Sequence, residues 1–220
     1  MKSKESKNFL SSAFTDLMAS LAVIFILLTV VFIKNSSERS KEGKKQVRNQ
    51  LAGVLDKNNL PLQQDPNDPL SLNVRVSESL LKFSSGSATL SDAGGKFLDN
   101  FFPALAEELC AEPMRSNLDA VIIEGHTDKT GESSTGGTGN NIKLSQNRSF
   151  SVLARALSAV RENERLYDCV LKLVLASGRG SSVPVVVDKD YNPDLSRRVE
   201  IKIRVKSNEQ EYFLKEKSKL

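Results

Sequence analysis

A run of seventeen uncharged residues, Leu17 to Ile33, constrains this 220-residue chain more than any other feature. Only Ser20 and Thr29 are polar within it, and carried back to Phe9 the stretch has 25 residues and a single charge, Asp16. A helix of about 20 mostly apolar residues crosses a bilayer, so the length predicts one transmembrane helix over 9–33, with 1–8 outside it. A cleaved signal sequence has a shorter apolar core, ~7–15 residues, and a small-residue cleavage site. Here the run ends in Phe32-Ile33-Lys34-Asn35 without such a site. A soluble core helix is the remaining alternative.

Asp16 has two readings. In one, the span starts at Leu17 and Asp16 caps its N-terminus, where the helix dipole favours an anion. In the other, the helix starts near Ser6–Phe9 and Asp16 lies two turns inside it, facing a partner helix or a watery path. A carboxylate near the bilayer centre costs about 2.5–3.5 kcal/mol on insertion scales, which a structural role does not repay. A group held there can exchange protons or bind a cation.

Charge divides the chain. Residues 1–50 hold nine Lys/Arg and four acids; the remaining 170 hold 22 and 23. The basic excess is therefore a property of the N-terminal arm, and the rest carries no nucleic-acid footprint. One His and two Cys are too few for a zinc site of the usual N/S kind. Lys/Arg counts at the two ends of the span favour a cytoplasmic C-terminal side.

Residues 34–69 read as a helical linker and loop. Val47, Leu51, Val54 and Leu55 form a helical stripe. It fits a coiled coil between two copies or an ordinary amphipathic linker, continuous with the span or broken near Gly43. Pro61, Pro66 and Pro69 then mark a boundary. From 70 to 206 strands and helices alternate, β-α-β-α-β-β, which predicts an α+β domain with helices on one face of a mixed sheet. The helices are expected near 92–110 and 144–161. Strands are expected at 72–76, 118–124, 170–176 and 198–205. Lys129–Asn141 reads as a loop and 207–220 as a polar tail.

Five motifs fall in order across 83–201: Phe83-Ser84-Ser85-Gly86-Ser87-Ala88-Thr89-Leu90, Ile123-Glu124-Gly125-His126-Thr127-Asp128, Asn141 to Ser149, Gly178-Arg179-Gly180 with Pro184, and Arg197-Arg198-Val199-Glu200-Ile201. Together they resemble the OmpA-like peptidoglycan-binding family. Ser149 and Ser196 depart from its Ala and Asn. The resemblance implies that Asp128 pairs with the ammonium of diaminopimelate in the cell-wall peptide and Arg148 with its carboxylate, with Arg198 a further contact. A planar guanidinium fork suits a carboxylate. The alternative is that Asp128 and Arg148 pair with each other and bind nothing. The segment between them is longer than the family pattern and is expected to cover or reshape the pocket. His126 invites a hydrolase reading, but no nucleophile is placed beside it. The family makes it a structural strand-end residue, and no enzyme activity or cofactor is expected.

A basic N-terminus, one span with an Asp, a helical linker and an OmpA-like domain resemble the MotB-type B subunits of ion-driven stators. Phe14 to Ala22, with no Trp anywhere in the chain, is closer to the stator-like B subunits of Zorya anti-phage defence than to flagellar ones. By that resemblance Asp16 carries the permeating ion. Two copies sit within a ring of five multi-span MotA-like subunits, and the N-terminus is cytoplasmic with the domain in the periplasm, against the charge count. A flagellar-type stator and a plain envelope tether are the alternatives. In an oxidising periplasm, Cys110 and Cys169 are candidates for an intrachain disulfide, since helix C-termini and following strand starts share one sheet edge. Free buried thiols, or a bond between two copies, remain open at this point.

Overall fold

The computed structural model describes residues 2–84, 86–130, 136–207 and 210, with side chains in the first helix described from Phe14 onward apart from 36, 37, 39 and 40. The centre of the 129–141 loop and nearly all of the 207–220 tail lie outside the described residues. The chain divides into two compact units, Met1–Glu42 and Gly43–Leu220.

The first unit is helical. Helix α1, Lys2–Lys57, runs without a break at Gly43. Within it Phe14–Asn35 spans 22 residues at a mean hydropathy of 2.6 and is nowhere buried. At 1.5 Å per residue that is about 33 Å, long enough and apolar enough to cross a bilayer. Asp16 sits inside the helix, far from its start at Lys2. An N-cap has non-helical backbone, so the capping reading of Asp16 is removed.

The second unit contains β1 (Leu62–Gln64), β2 (Ser71–Ser77), α2 (Glu78–Leu81), α3 (Asp92–Cys110), α4 (Met114–Asn117), β3 (Leu118–His126), α5 (Gly137–Ala159), α6 (Glu164–Leu173), β4 (Val174–Gly178), the short pair β5 (Val186–Val187) and β6 (Asp190–Tyr191), α7 (Pro193–Ser196) and β7 (Arg198–Val205). The five-stranded sheet has the order β1-β2-β7-β3-β4. Among the described residues only β3 and β4 pair in parallel. The class is α+β with a mixed sheet.

Strand alternation decides which side each residue serves. Val74, Ile201 and Ile123 stand side by side in register and bury completely or nearly so against the helices. Their neighbours Arg75, Glu200 and Glu124 share the other face. Helix α3 contributes Leu98, Phe101, Phe102 and Leu105 to the core, and the Ser91 hydroxyl caps it by accepting the Gly94 N–H at 3.1 Å. The disulfide Cys110–Cys169 ties the end of α3 to α6.

Three expectations change. The stripe Val47, Leu51 and Leu55 is buried in this unit's own core, with Val54 packed against it. It is not free to form a coiled coil, and the domain starts near Gly43 rather than at 70. Second, 170–173 is helical. Leu166, Val170 and Leu173 bury one side of α6, and Asn163 caps it through Leu166 N–H at 3.1 Å. A short apolar run does not by itself tell helix from strand. Third, α5 starts at Gly137, well before Leu144. Its first turns are Gly- and Asn-rich, poor helix formers, held by tertiary contacts described next.

Candidate functional site

The motif glycines lay α5 directly on the sheet. A Cβ at Gly125 would lie 2.2 Å from the Ser145 carbonyl oxygen, and one at Gly178 would lie 2.4 Å from the Gln146 nitrogen. Ser145 is fully buried; its hydroxyl accepts the Gly180 N–H at 2.8 Å and donates to the Ile142 carbonyl at 2.8 Å. Thr127 N–H donates to the Gly180 carbonyl at 2.9 Å. Strand end and helix are thus clamped together, and Arg148, three residues after Ser145, is placed on the same side of α5.

Arg148 is 5% exposed. Its Nε donates to the Ser87 carbonyl at 3.0 Å, its Nη2 pairs with Glu78 at 3.0 Å, and its guanidinium lies 5.0 Å from the centre of the Phe83 ring. Burial lowers its pKa, Glu78 opposes that shift, and the nearby Arg197 adds to it; it stays a cation regardless. Asp128 Oδ1 accepts the Thr130 N–H at 2.9 Å, and its Oδ2 pairs with Arg197 at 2.6 Å. Burial raises the Asp128 pKa, but the Arg197 and Thr130 hydrogen bonds outweigh it and hold the carboxyl below its usual range. Asn141, at the start of α5, donates to the Asp128 carbonyl at 3.4 Å and the Thr130 carbonyl at 3.3 Å. Lys129 N–H donates to the Tyr191 hydroxyl at 2.8 Å, fixing the beginning of the long loop.

Asp128 and Arg148 therefore do not pair with each other. Arg197 bridges them: it holds Asp128, reaches Glu78 at 2.9 Å, and also pairs with Asp194. Glu78 in turn holds Arg148. The result is one anion and one cation kept apart by a shared Arg197–Glu78 link. Each of the two charges is thus already matched by an internal partner of opposite sign, Arg197 for Asp128 and Glu78 for Arg148.

Arg198 is placed elsewhere. Its Nε pairs with Glu200 at 2.6 Å and its Nη1 donates to the carbonyls of Val183 and Ser196 at 3.3 and 3.2 Å, on the helix-free face of the sheet. The neighbouring Arg197, and Glu78, were missed from sequence. A signal existed for the first: Val199 and Ile201 face the core, so alternation sends Arg198 with Glu200 to the far side and leaves Arg197 for the Asp128 side. Glu78 had no such signal.

No family model matches the sequence, and no curated protein matches it. Solved structures do. A MotB-like protein from Desulfovibrio vulgaris is 21% identical, with a TM-score of 0.52 over 79% of this chain and 98% of its own. The periplasmic domain of Helicobacter pylori MotB is 17% identical, with a TM-score of 0.50 over 71% and 85%. The cell wall anchor of the T6SS from Pseudomonas aeruginosa, 22% identical, superposes more loosely at 0.46 over 72% and 96%. The fold of the second unit is that of the MotB-like periplasmic domains.

Proposed function

We propose that this chain is the peptidoglycan-anchored B-type subunit of a stator-like, ion-driven membrane motor serving anti-phage defence. Asp16 carries the ion, and Asp128 and Arg148 hold the wall peptide. The observation that carries the reading is a combination in one chain: a single apolar span with its one carboxylate inside the helix, followed by a domain of MotB-like fold. Among the described residues Asp16 is exposed and has no ion-pair partner on its own chain. Charges inside membrane spans are costly and mark ion pathways, so the partner surface comes from other subunits, a MotA-like ring around a dimer of this chain. The N-terminus is then cytoplasmic and the domain periplasmic, where wall peptide and an oxidising medium both exist.

Substituting Asp16→Asn keeps the shape and removes the ionisable group. Ion flux and phage protection are expected to be abolished while membrane insertion and assembly persist. Full activity in that variant would leave a plain envelope tether.

A further inference from the structure

The helix-free face of the sheet holds a second polar centre. Register places Arg75 opposite Glu200, Glu200 opposite Glu124, and Arg198 opposite His126. The strap between α1 and β2 and the segment around Val183–Val185 close over this row and leave a cavity of about 230 Å³. Two of its cations are committed, Arg198 to Glu200 at 2.6 Å and Lys202 to Asp65 at 2.8 Å. Arg75 and Arg179 approach carboxylates only to 3.8 and 3.9 Å, and the buried Arg75 Nε makes no hydrogen bond.

At the floor lies His126, 1% exposed. Neither ring nitrogen has a hydrogen-bond partner. Nε2 stands 3.2 Å from Glu124 Oε1 but outside hydrogen-bonding geometry. Beside it, the Asn73 amide donates to Asp65 and Glu200, both at 3.1 Å, while its Oδ1 accepts nothing. Buried polar groups in native proteins are nearly always hydrogen-bonded, so this concentration of unmade bonds around one cavity points to a ligand.

The donors and acceptors define its chemistry. Glu124, His126 and Glu200 bring ligand atoms within 4.8 Å of one another, as a metal would need. Yet Arg75, Arg179, Arg198 and Lys202 already surround those carboxylates with positive charge, which opposes a further cation. Unmade donors on Arg75 Nε and on the imidazole, with the half-exposed Arg179 guanidinium open at the mouth, call for an oxyanion. An unmade acceptor, Asn73 Oδ1, calls for a donor on the same molecule. We infer that this cavity binds a small carboxylate bearing an amino or hydroxyl group. Arg75, Arg179 and the His126 imidazole take the carboxylate; Asn73 takes the substituent. The volume, roughly seven to eight waters' worth at ~30 Å³ each, admits an acid of a few carbons. Neither Asp128 nor Arg148 lines it, so the inference does not depend on wall binding. A bound acid would pin the strap that joins α1 to the sheet.

The test uses the only histidine of the chain. In the full-length protein in micelles, the imidazole NMR signals are followed during titration with alanine or lactate. Inorganic phosphate and Zn²⁺ serve as comparison probes. A saturable shift is expected with at least one of the two acids. Half-saturation should move up by at least about tenfold for phosphate and for the Arg75→Met/Arg179→Met double variant, and stay unchanged in Asp128→Asn. Arg75→Lys, which keeps the charge and loses the fork, gives an intermediate shift and serves if the double variant fails to fold. No saturable shift with either acid by about 10 mM, an unchanged titration in both Arg variants, tighter binding of phosphate, or a response to Zn²⁺ alone would each overturn the assignment.

Discussion

On one side of the five-stranded sheet Phe101, Phe102, Leu105 and Ile201 are no more than 1% exposed, and a disulfide joins two of the covering helices. On the other side the cover is the strap of residues 58–70 held by charges, with Asp65 paired to Lys202 and accepting backbone N–H groups of its own turn at 2.7 and 3.0 Å. The difference is instructive. Apolar packing is non-directional and can fill space completely. A polar cover must satisfy each group with a partner in a particular direction, and here it leaves His126, Asn73 and Arg75 with unmade bonds. The helix side therefore supplies most of the stability, and the strap side is the place for chemistry and for sensitivity to conditions.

The largest effect that would sharpen this contrast belongs to the helix side. Cys110 and Cys169 are 59 residues apart in sequence. Closing such a loop stabilises the folded state by about 4 kcal/mol in the chain-entropy model. The paired change Cys110→Ser/Cys169→Ser is expected to lower the melting temperature by on the order of 10 °C, by the same amount at every pH. Thermal melts with and without reductant measure it. A loss confined to acid pH would break the distinction between the two sides.

A smaller effect is expected at the rim, where β3 passes from one face to the loop carrying Asp128. Removing one member of a buried charge pair leaves the other unpaired, at a cost of at least about 2 kcal/mol, or roughly thirtyfold in affinity. Pull-down on purified sacculi should weaken by that factor for Asp128→Ala and for Arg148→Ala, and hardly at all for Arg198→Met, which lies on the other face. Equal loss in all three would mean that the two faces form one site.

The smallest expected effect is the acid dependence of the strap side. Burial raises the pKa of Asp65, but Lys202, Asn67 and Asn73 outweigh it. Burial likewise raises Glu124, and His126, Lys202 and Arg179 pull it down further. Both carboxyls end below their usual values of 3.8 and 4.5. A depressed folded pKa contributes stability above the unfolded value and loses it as pH falls through the folded one. Melting temperature should be level from neutral pH to about 5 and then fall. Asp65→Asn should lower the neutral plateau by a few degrees and make the acid fall shallower. An acid slope identical to that of the native protein would remove the strap carboxylates as its cause.

Much of this was legible in the residues themselves. The apolar run at 17–33 is longer than a soluble core helix needs and exposes its cost wherever it is not in lipid. Alternation in 198–205 and the stripe of α3 state their own partners, because period 2 and period 3.6 each present one apolar side. Asp128 and Arg148 were named through the resemblance of their motifs to the OmpA-like family, and the structure adds why two of those motif positions are glycine: at Gly125 and Gly178 no larger side chain fits against α5.

What lay beyond the sequence was every property that depends on which elements meet. The stripe at 47–55 suited a partner helix as well as its own domain, since periodicity names an apolar face without naming what covers it. Gly137–Lys143 has the composition of a loop and is helical because Asn141 and Ser145 are bonded to strand-end backbone far away in sequence. Arg197 and Arg198 are adjacent in the chain, yet one bridges Asp128 to Glu78 and the other pairs with Glu200, two residues along its own strand, on the opposite face of the sheet. Local sequence determines the element and its apolar side, because those follow from short-range sterics and burial. Only the tertiary structure decides which charge finds which partner, because a salt bridge needs two groups within about 4 Å and chain distance does not measure that.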